Sequence, residues 1–224
     1  PDPSKISAML RLGLPNAGSI TVEVTSYTLM ALLISRLGST AAASHQIMSN
    51  MGALLYMVPL SLSIATSARV SYWIGAGQPP KARLAIRHGL GWIVTCMAVT
   101  ASLLALFKTP IARLYIENEV VVEMASQLLG WLVWYQSVDA LQVFFFFMLR
   151  CYRVTIWPML IYAVLLWGVG LTGGYTLAYH GLLGSPALLS PQAFWISSST
   201  ALTVVSASLG VLLVWVLRTK ARGH

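Results

Sequence analysis

Six long apolar segments, each nearly free of charged residues, constrain the fold of this chain more than any other feature. A bilayer core offers no water to backbone N–H and C=O groups, so only helices and closed barrels can cross it. A spanning helix takes about 20 apolar residues, and these segments lack the short alternating pattern of barrel strands. The sequence therefore predicts an all-α integral membrane protein with six transmembrane helices, at about residues 12–35, 41–73, 86–107, 120–149, 155–179 and 193–217.

The composition excludes a soluble domain. Of 224 residues, 57% are hydrophobic and 9% are charged, whereas a soluble domain carries about 25% charged residues. The two cysteines form neither a disulfide framework nor a CxxC motif. The net charge of +8 comes from basic residues confined to short loops and chain ends, a pattern that membrane topology explains and nucleic-acid binding does not require.

Basic residues also indicate how the chain is oriented in the membrane. With the amino terminus inside, eleven Lys and Arg residues fall on the inner side and three on the outer side. The positive-inside rule then predicts that both termini are cytoplasmic. Residues 1–11 are predicted to be a cytoplasmic linker, residues 12–217 the membrane region and residues 218–224 a cytoplasmic basic tail. No signal peptide is visible. Because the first residue is Pro1 and not Met, we expect a segment of a longer polypeptide or a processed one.

Two acidic residues lie at membrane depth, Glu23 in the first span and Asp139 in the fourth. An ionised side chain at the bilayer centre costs about 2.5–3.5 kcal/mol on insertion scales, so each needs a partner, a proton or an ion. Helical spacing places Gln136 and Gln142 on the same face as Asp139, and Tyr135 lies one turn before it.

Two carboxylates on different helices, surrounded by Tyr, Gln, Asn and Ser oxygens, suit Na⁺ or exchangeable protons. We therefore predict a cation or proton site at Glu23 and Asp139, with no other metal and no cofactor beyond the coupling ion. An alternative is that each acid, protonated, hydrogen-bonds a neighbouring helix and only holds the bundle together. Gln46 and Asn50 share one side of the second span and are candidate supporting residues, although interhelical hydrogen bonds are the commoner use of such side chains.

Enzyme motifs are missing from the sequence. It has no HExxH zinc motif, no paired Asp motif of a membrane aspartyl protease, and no serine nucleophile motif with a histidine deep in another span. A P-loop and a dinucleotide-binding glycine motif are also missing. These observations favour a protein that is not an enzyme.

Several short motifs together resemble the carboxy-terminal half of multidrug and toxic compound extrusion (MATE) transporters. Their order and spacing are kept over nearly the whole chain, which makes the combination more specific than any one motif. The motifs are RLGLP at residues 11–15, Glu23-Val24, ASHQI at 43–47, PLSL at 59–62 and YQSVDALQ at 135–142.

This resemblance implies an antiporter that exports organic cations or other amphipathic drugs in exchange for Na⁺ or H⁺. It implies a cation site built from a Glu on the first helix, an Asp on the fourth and a Tyr one turn away, roles that carry over to Glu23, Asp139 and Tyr135. The turn after the fourth helix departs from the family pattern, because Cys151 replaces a Gly and Val154 replaces an Asp.

The resemblance also implies that this chain is one lobe of a twelve-helix transporter whose substrate cavity lies between two six-helix lobes. Residues 1–11 would then link the lobes. The expected partners are a small drug-like substrate, membrane lipid, and an amino-terminal lobe in cis or a second lobe in trans, with no nucleic acid. The expected location is the cell (inner) membrane. Two alternatives remain: a lipid-precursor flippase of the same superfamily, or a non-transporting remnant or assembly subunit.

Overall fold

A computed structural model describes residues 3–181 and 186–221, and this part of the chain is almost entirely helical. Each of its six long helices contains a stretch long and apolar enough to cross a membrane. The predicted all-α, six-helix membrane fold is therefore confirmed. The helices are α1 (Pro3–Ser35), α2 (Ser39–Gly75), α3 (Pro79–Tyr115), α4 (Glu119–Cys151), α5 (Ile156–Tyr179) and α6 (Gln192–Ala221).

Local sequence explains where the helices begin and end. Gly38 and Gly77 adopt φ angles of 110° and 67° in the turns before α2 and α3, a left-handed backbone that glycine adopts without strain. Helix α3 starts at Pro79, whose missing N–H group costs no hydrogen bond in the first turn. The Asn118 side chain caps α4 by accepting hydrogen bonds from two backbone N–H groups, at 3.0 and 3.3 Å.

Helix α4 is the centre of the bundle and packs against α2, α3 and α6. In the 18-residue stretch of α4 that is most apolar, 50% of the residues are buried, whereas in the most apolar stretch of α3 the share is 11%. The long side chains of Leu128, Leu132, Phe144 and Met148 on α4 are fully buried. Because α4 is surrounded on several sides, a polar residue in its middle, such as Asp139, faces protein.

Two apolar cores fill the bundle, one towards each end. The first is built around Ile34, Leu128 and Trp195, and the second around Phe144 and Leu213. Tyr135 packs against both cores. The level of Tyr135 on α4 therefore marks the boundary between the cores, and the polar residues of the candidate site lie near that boundary.

Most basic residues of the described chain gather at one end of the bundle. There the Arg83 Nη2 atom at the start of α3 donates a hydrogen bond to the Leu217 carbonyl near the end of α6, at 3.2 Å. The Cys151 thiol at the end of α4 donates to the Ser67 carbonyl of α2, at 3.4 Å. These contacts join α3 to α6 and α4 to α2 at the same end of the bundle, which we call the basic end.

Helix α5 contains a π-helical segment over Leu166–Leu171. The amino-terminal part of helix α5 lies against α1, and the carboxy-terminal part of helix α5 packs closely on α6. That packing depends on glycine, because a Cβ atom on Gly174 would lie 2.8 Å from Phe194 Cδ1 and 3.1 Å from its Cα. π-helical segments in membrane and soluble proteins often lie at functional sites.

Some helix boundaries differ from the expected ones. Helix α1 begins at Pro3, so residues 3–11, assigned to a linker, are helical, and α3 runs from Pro79 to Tyr115 instead of about 86–107. The added turns carry Lys and Arg or proline, which lower hydropathy without preventing a helix. Residues 222–224 of the basic tail lie outside the described residues, as do residues 182–185 of the loop before α6. The division of the chain into linker, lobe and tail stays a prediction.

Candidate cation site

A small internal cavity of about 20 Å³ lies among α1, α4, α5 and α6, and Glu23 is one of its walls. This volume is enough for one water-sized guest, since a water needs about 10–15 Å³. The other residues that line it are mostly aromatic or hydroxyl-bearing: Ser26, Tyr27, Met30, Tyr135, Tyr162, Leu166, Leu171 and Ser198. The cavity wall therefore combines one carboxylate with several serine and tyrosine hydroxyl groups.

Asp139 lies next to this cavity but does not line it. Its side chain is 8% exposed, and it is near enough to Glu23 for the two carboxylates to interact electrostatically. Within residues 3–181 and 186–221, neither carboxylate forms an ion pair with a Lys or Arg, and the ion pair present there joins Arg113 and Glu119 at the surface. Two acids that repel each other without a basic partner favour the binding of a cation or proton.

Four tyrosines surround the two carboxylates. The phenol groups of Tyr27, Tyr56, Tyr135 and Tyr162 all interact electrostatically with both Glu23 and Asp139. Each comes from a different helix, α1, α2, α4 and α5 respectively. The structure thus brings Tyr135, predicted as a site residue, together with three further hydroxyl groups that could donate to a carboxylate or coordinate a cation.

Several buried polar atoms around the site have no hydrogen-bond partner among the described residues. They include Ser26 Oγ, which lines the cavity, and Trp195 Nε1 and His45 Nδ1 beside it. Unpaired buried polar atoms are uncommon and often mark a place for water or an ion. The centre of the Trp195 ring lies 5.0 Å from that of Tyr135 and 5.6 Å from that of His45, so these three side chains form one aromatic cluster, which Tyr135 joins to the cavity.

The four supporting amides predicted from sequence are placed differently from the carboxylates. Gln136 and Gln142 are buried, as expected for one face of α4, but Gln136 lines small cavities on the α2 and α3 side of α4. Gln46 and Asn50 are exposed on α2, where the Gln46 amide donates to the Asn50 side chain at 3.1 Å. None of the four lines the Glu23 cavity.

Sequence reasoning missed Tyr56, Tyr162 and the π-helical segment. Leu166 and Leu171, the first and last residues of that segment, both line the Glu23 cavity. A weak signal was available, since the segment reads LWGVGL and its two glycines are unusual in the middle of an apolar span. Gly170 lies against α6, where an added Cβ would meet Ala201 Cβ at 3.5 Å.

The chemistry of this donor set is that of a hard-cation site. Carboxylate, phenol and hydroxyl oxygens suit Na⁺ or a proton, whereas transition metals prefer nitrogen and sulfur. Among the described residues there is no cluster of three His, Cys, Asp or Glu side chains that could hold a metal ion. These oxygen atoms are of the kind that binds a monovalent cation or protons, with Glu23 in the wall of the cavity.

Comparisons of the sequence with known proteins give one family. The MatE family model matches residues 15–176. The chain is 38% identical over 213 residues to a protein of Aromatoleum aromaticum named "Probable multidrug resistance protein NorM", covering 94% of this chain and 45% of that protein. It is 37% identical over 206 residues to the multidrug resistance protein MdtK of Photorhabdus laumondii, covering 91% of this chain and 44% of that protein.

Solved structures agree on the fold. The crystal structure of the eukaryotic MATE transporter AtDTX14 superimposes with a TM-score of 0.85 at 20% sequence identity, covering 96% of this chain and 48% of that chain. The chain spans about half the length of the curated relatives it matches. With six membrane helices, a matching family model and relatives at this identity, the chain belongs to the MatE family of multidrug efflux transporters, as one six-helix lobe of the MATE fold.

Proposed function

We propose that this chain is the ion-binding lobe of a cation-coupled antiporter that exports organic cations or other amphipathic drugs. The observation that carries the proposal is the pair of carboxylates, Glu23 and Asp139, which interact inside the membrane region without a basic partner in the described chain. The relatives named as multidrug resistance proteins support export of drug-like compounds. Na⁺ or H⁺ is the coupling ion, and no other cofactor takes part.

Binding of the ion links α1 to α4 and α5. An unoccupied site holds negative charge in a low-dielectric region, and Na⁺ or a proton neutralises it. The two occupancies then favour different arrangements of the helices that carry Glu23, Asp139 and Tyr135. Alternating access in secondary transporters proceeds by rocking of one repeat against another about a central site, so a second six-helix lobe, in cis or in trans, completes the transporter.

The charge of the site distinguishes drug export from the main alternative. A flippase of lipid-linked precursors of the same superfamily would handle anionic headgroups and would need basic side chains in its cavity. The described residues that line the Glu23 cavity include no Lys, Arg or His. Without basic groups at this site, the acids Glu23 and Asp139 keep the charge at membrane depth in this lobe negative, and negative charge favours cationic or neutral amphipathic substrates in the cavity between the lobes. A non-transporting assembly subunit is the remaining alternative, and a transport assay distinguishes it directly.

The test is efflux from proteoliposomes that contain the native polypeptide, driven separately by a Na⁺ gradient and by a pH gradient. We expect Asp139→Asn and Glu23→Gln each to abolish efflux driven by the coupling gradient, since each removes one of the two titratable or coordinating groups. Glu123→Gln is the matched control, because Glu123 is an exposed carboxylate on the same helix as Asp139, and it should leave efflux unchanged. Ion-driven efflux that survives both site substitutions would overturn the proposal.

A further inference from the structure

A second cavity lies at the basic end, between α2 and α3, away from the Glu23 site. It is a groove of about 500 Å³, a volume in the range of small-molecule sites. Basic and aromatic side chains line part of it and apolar side chains the rest, principally Arg69, Trp73, Lys81, Leu84, Ala85 and His88. We call it the α2–α3 groove.

The floor of the groove is closed by direct contact between the two helices. Thr66 of α2 lines the groove, and a Cβ atom on Gly89 of α3 would lie 2.5 Å from Thr66 Cγ2. Behind this contact Val70 and Ala82 are fully buried. The groove therefore opens outwards from the bundle, and it shares no lining residue with the Glu23 cavity.

Among the residues that the structure describes, no carboxylate lines the groove to balance its positive charge. Arg69, Lys81 and His88 line it, and no Asp or Glu does. The acidic residues of the described chain are Glu23 and Asp139 at the cation site and three exposed glutamates between Glu117 and Glu123 at the opposite end. The two cationic side chains, Arg69 and Lys81, attract an anion to the groove.

The groove is also amphipathic along its length. Lys81 Nζ lies 4.6 Å from the centre of the Trp73 ring, which holds the ammonium group at the groove, and Trp is typical of membrane interfaces. Leu84 and Ala85 provide an apolar wall next to these polar groups. A free phosphate ion would use only the basic part, whereas a phospholipid would use both parts.

We propose that the α2–α3 groove binds an anionic phospholipid from the leaflet at the basic end. Its headgroup phosphate lies between Arg69 and Lys81, and one acyl chain lies along Leu84 and Ala85. Basic pockets between membrane helices are suited to such headgroups. The groove places Arg69 and Lys81, which have no carboxylate partner among the described lining residues, beside an apolar wall. An anionic phospholipid has the complementary groups, a negative headgroup and apolar chains. The proposed occupant is therefore a lipid and not the second lobe.

The first test measures lipid retention on the purified native polypeptide by native mass spectrometry, with phosphatidylglycerol as the probe and phosphatidylcholine as the neutral comparison. Each basic residue near an anionic lipid surface contributes about fivefold in affinity. We therefore expect Arg69→Gln and Lys81→Gln each to weaken phosphatidylglycerol binding about fivefold, and the double variant roughly 25-fold.

Arg87→Gln is the matched control, because Arg87 is an exposed arginine of α3 that does not line the groove. It should retain the lipid as the unmodified protein does. An equal loss in Arg87→Gln and in the groove variants would show diffuse attraction to net positive charge and would overturn the proposal. Equal competition by glycerol 3-phosphate, which has the phosphate without chains, would overturn it as well.

The second test identifies the occupant in the membrane. A photo-crosslinking residue placed at Leu84, which is 50% exposed, should form an adduct with the mass of a phospholipid. Crosslinking to a segment of the same or another polypeptide would mean that protein covers the groove, and would overturn the proposal.

Discussion

At the scale of single residues, aromatic side chains at the candidate site hold one another in defined orientations. The ring of Trp195 is nearly perpendicular to the rings of Tyr27 and Tyr135, at 80° and 81°, with centroids 5.9 and 5.0 Å apart. Edge-to-face contacts of this kind stabilise a defined orientation by about 0.5–1.5 kcal/mol each. Tyr135 therefore has two separable parts, a ring that packs on Trp195 and a hydroxyl group that interacts electrostatically with Glu23 and Asp139.

Tyr135→Phe separates these two parts. The ring contact with Trp195 is kept, while one oxygen is removed from the surroundings of Glu23 and Asp139. We expect the folded protein to retain its thermal stability within about 1 kcal/mol and the affinity for the coupling ion to fall about fivefold to tenfold, the value of one hydrogen bond or ligand of this kind. Isothermal titration of the purified native polypeptide with Na⁺, or proton release on ion binding, measures the change.

Tyr179→Phe is the control for the previous substitution. Tyr179 Oη donates a hydrogen bond to the Leu33 carbonyl at 2.8 Å, and this tyrosine does not line the Glu23 cavity. Its loss should lower thermal stability by about 1 kcal/mol and leave ion affinity unchanged. If Tyr179→Phe weakened ion binding as much as Tyr135→Phe, the assignment of Tyr135 to the site would be wrong.

The sequence could identify some of these residues and not others, for physical reasons. Glu23 and Asp139 stand out because an ionised side chain in a membrane span costs free energy whichever side of the helix it lies on. Tyr56 and Tyr162 do not, because tyrosine is common in membrane spans and its role depends on which helix faces it. Gln136 was grouped with Asp139 by spacing, yet it faces α2 and α3, since a buried central helix has polar neighbours on more than one side.

The turn after α4 gives a separate prediction about stability. Arg153 has a φ angle of 61°, a left-handed conformation that costs a non-glycine residue about 1 kcal/mol or more. Its side chain is exposed, so Arg153→Gly should remove this backbone strain and raise the free energy of unfolding by about 1 kcal/mol. The gain is reduced by the greater conformational entropy that glycine gives to the unfolded chain. Arg150→Gly, at an exposed helical position, should lower stability instead. A thermal shift of equal sign for both would contradict this account.

At the scale of helices, close approach of α2, α3 and α4 depends on a single glycine. A Cβ atom at Gly89 would lie within 2.7 Å of Thr66 Cγ2 and Oγ1 and 3.1 Å from Phe144 Cε2. Phe144 is fully buried and cannot move without disturbing the core. Small residues at such positions allow membrane helices to pack closely.

Gly89→Ala should therefore destabilise the protein by about 1–3 kcal/mol, the usual range for overpacking. Gly91→Ala, on the same helix, is the matched control, because a Cβ there would meet nothing within 4 Å. It should be neutral or stabilising by up to about 1 kcal/mol, the helix propensity difference between the two residues. Thermal unfolding in detergent compares the two variants. Equal destabilisation by both would mean that helix propensity, not packing at Thr66, determines the result.

Hydropathy predicted the helices well because it depends on composition, but it could not predict their interruptions. The six apolar segments correspond to six helices, and their ends shift where basic or proline residues extend a helix beyond the bilayer core. The π-helical segment at Leu166–Leu171 lies where Gly170, and Gly174 just after the segment, pack closely against α6. That information lies in tertiary contacts and not in the periodicity of one span.

At the scale of the whole molecule, the distribution of charge defines two different ends. In the described chain, Arg69, Lys81, Arg83, Arg150 and Arg218 lie at the basic end, while exposed Glu117 and Glu119 lie at the opposite end. From the positive-inside rule we predict that the basic end faces the cytoplasm. The same charge distribution supports the α2–α3 groove as a site for lipid of the cytoplasmic leaflet.

Labelling of single cysteines in intact cells tests this orientation. Gln78 and Glu117 are exposed in the turns at the two ends, and native Cys96 and Cys151 would first be replaced by Ala and Ser. We expect Glu117→Cys to react with a membrane-impermeant maleimide and Gln78→Cys to react only after the membrane is permeabilised. The reason is the positive-inside rule, since eleven Lys and Arg residues are predicted on the side of Gln78 and three on the side of Glu117. The reverse pattern would invert the topology and move the proposed lipid site to the outer leaflet. Reaction of both cysteines in intact cells would mean that both ends are open to the outside, which a lobe with six membrane-spanning helices does not allow.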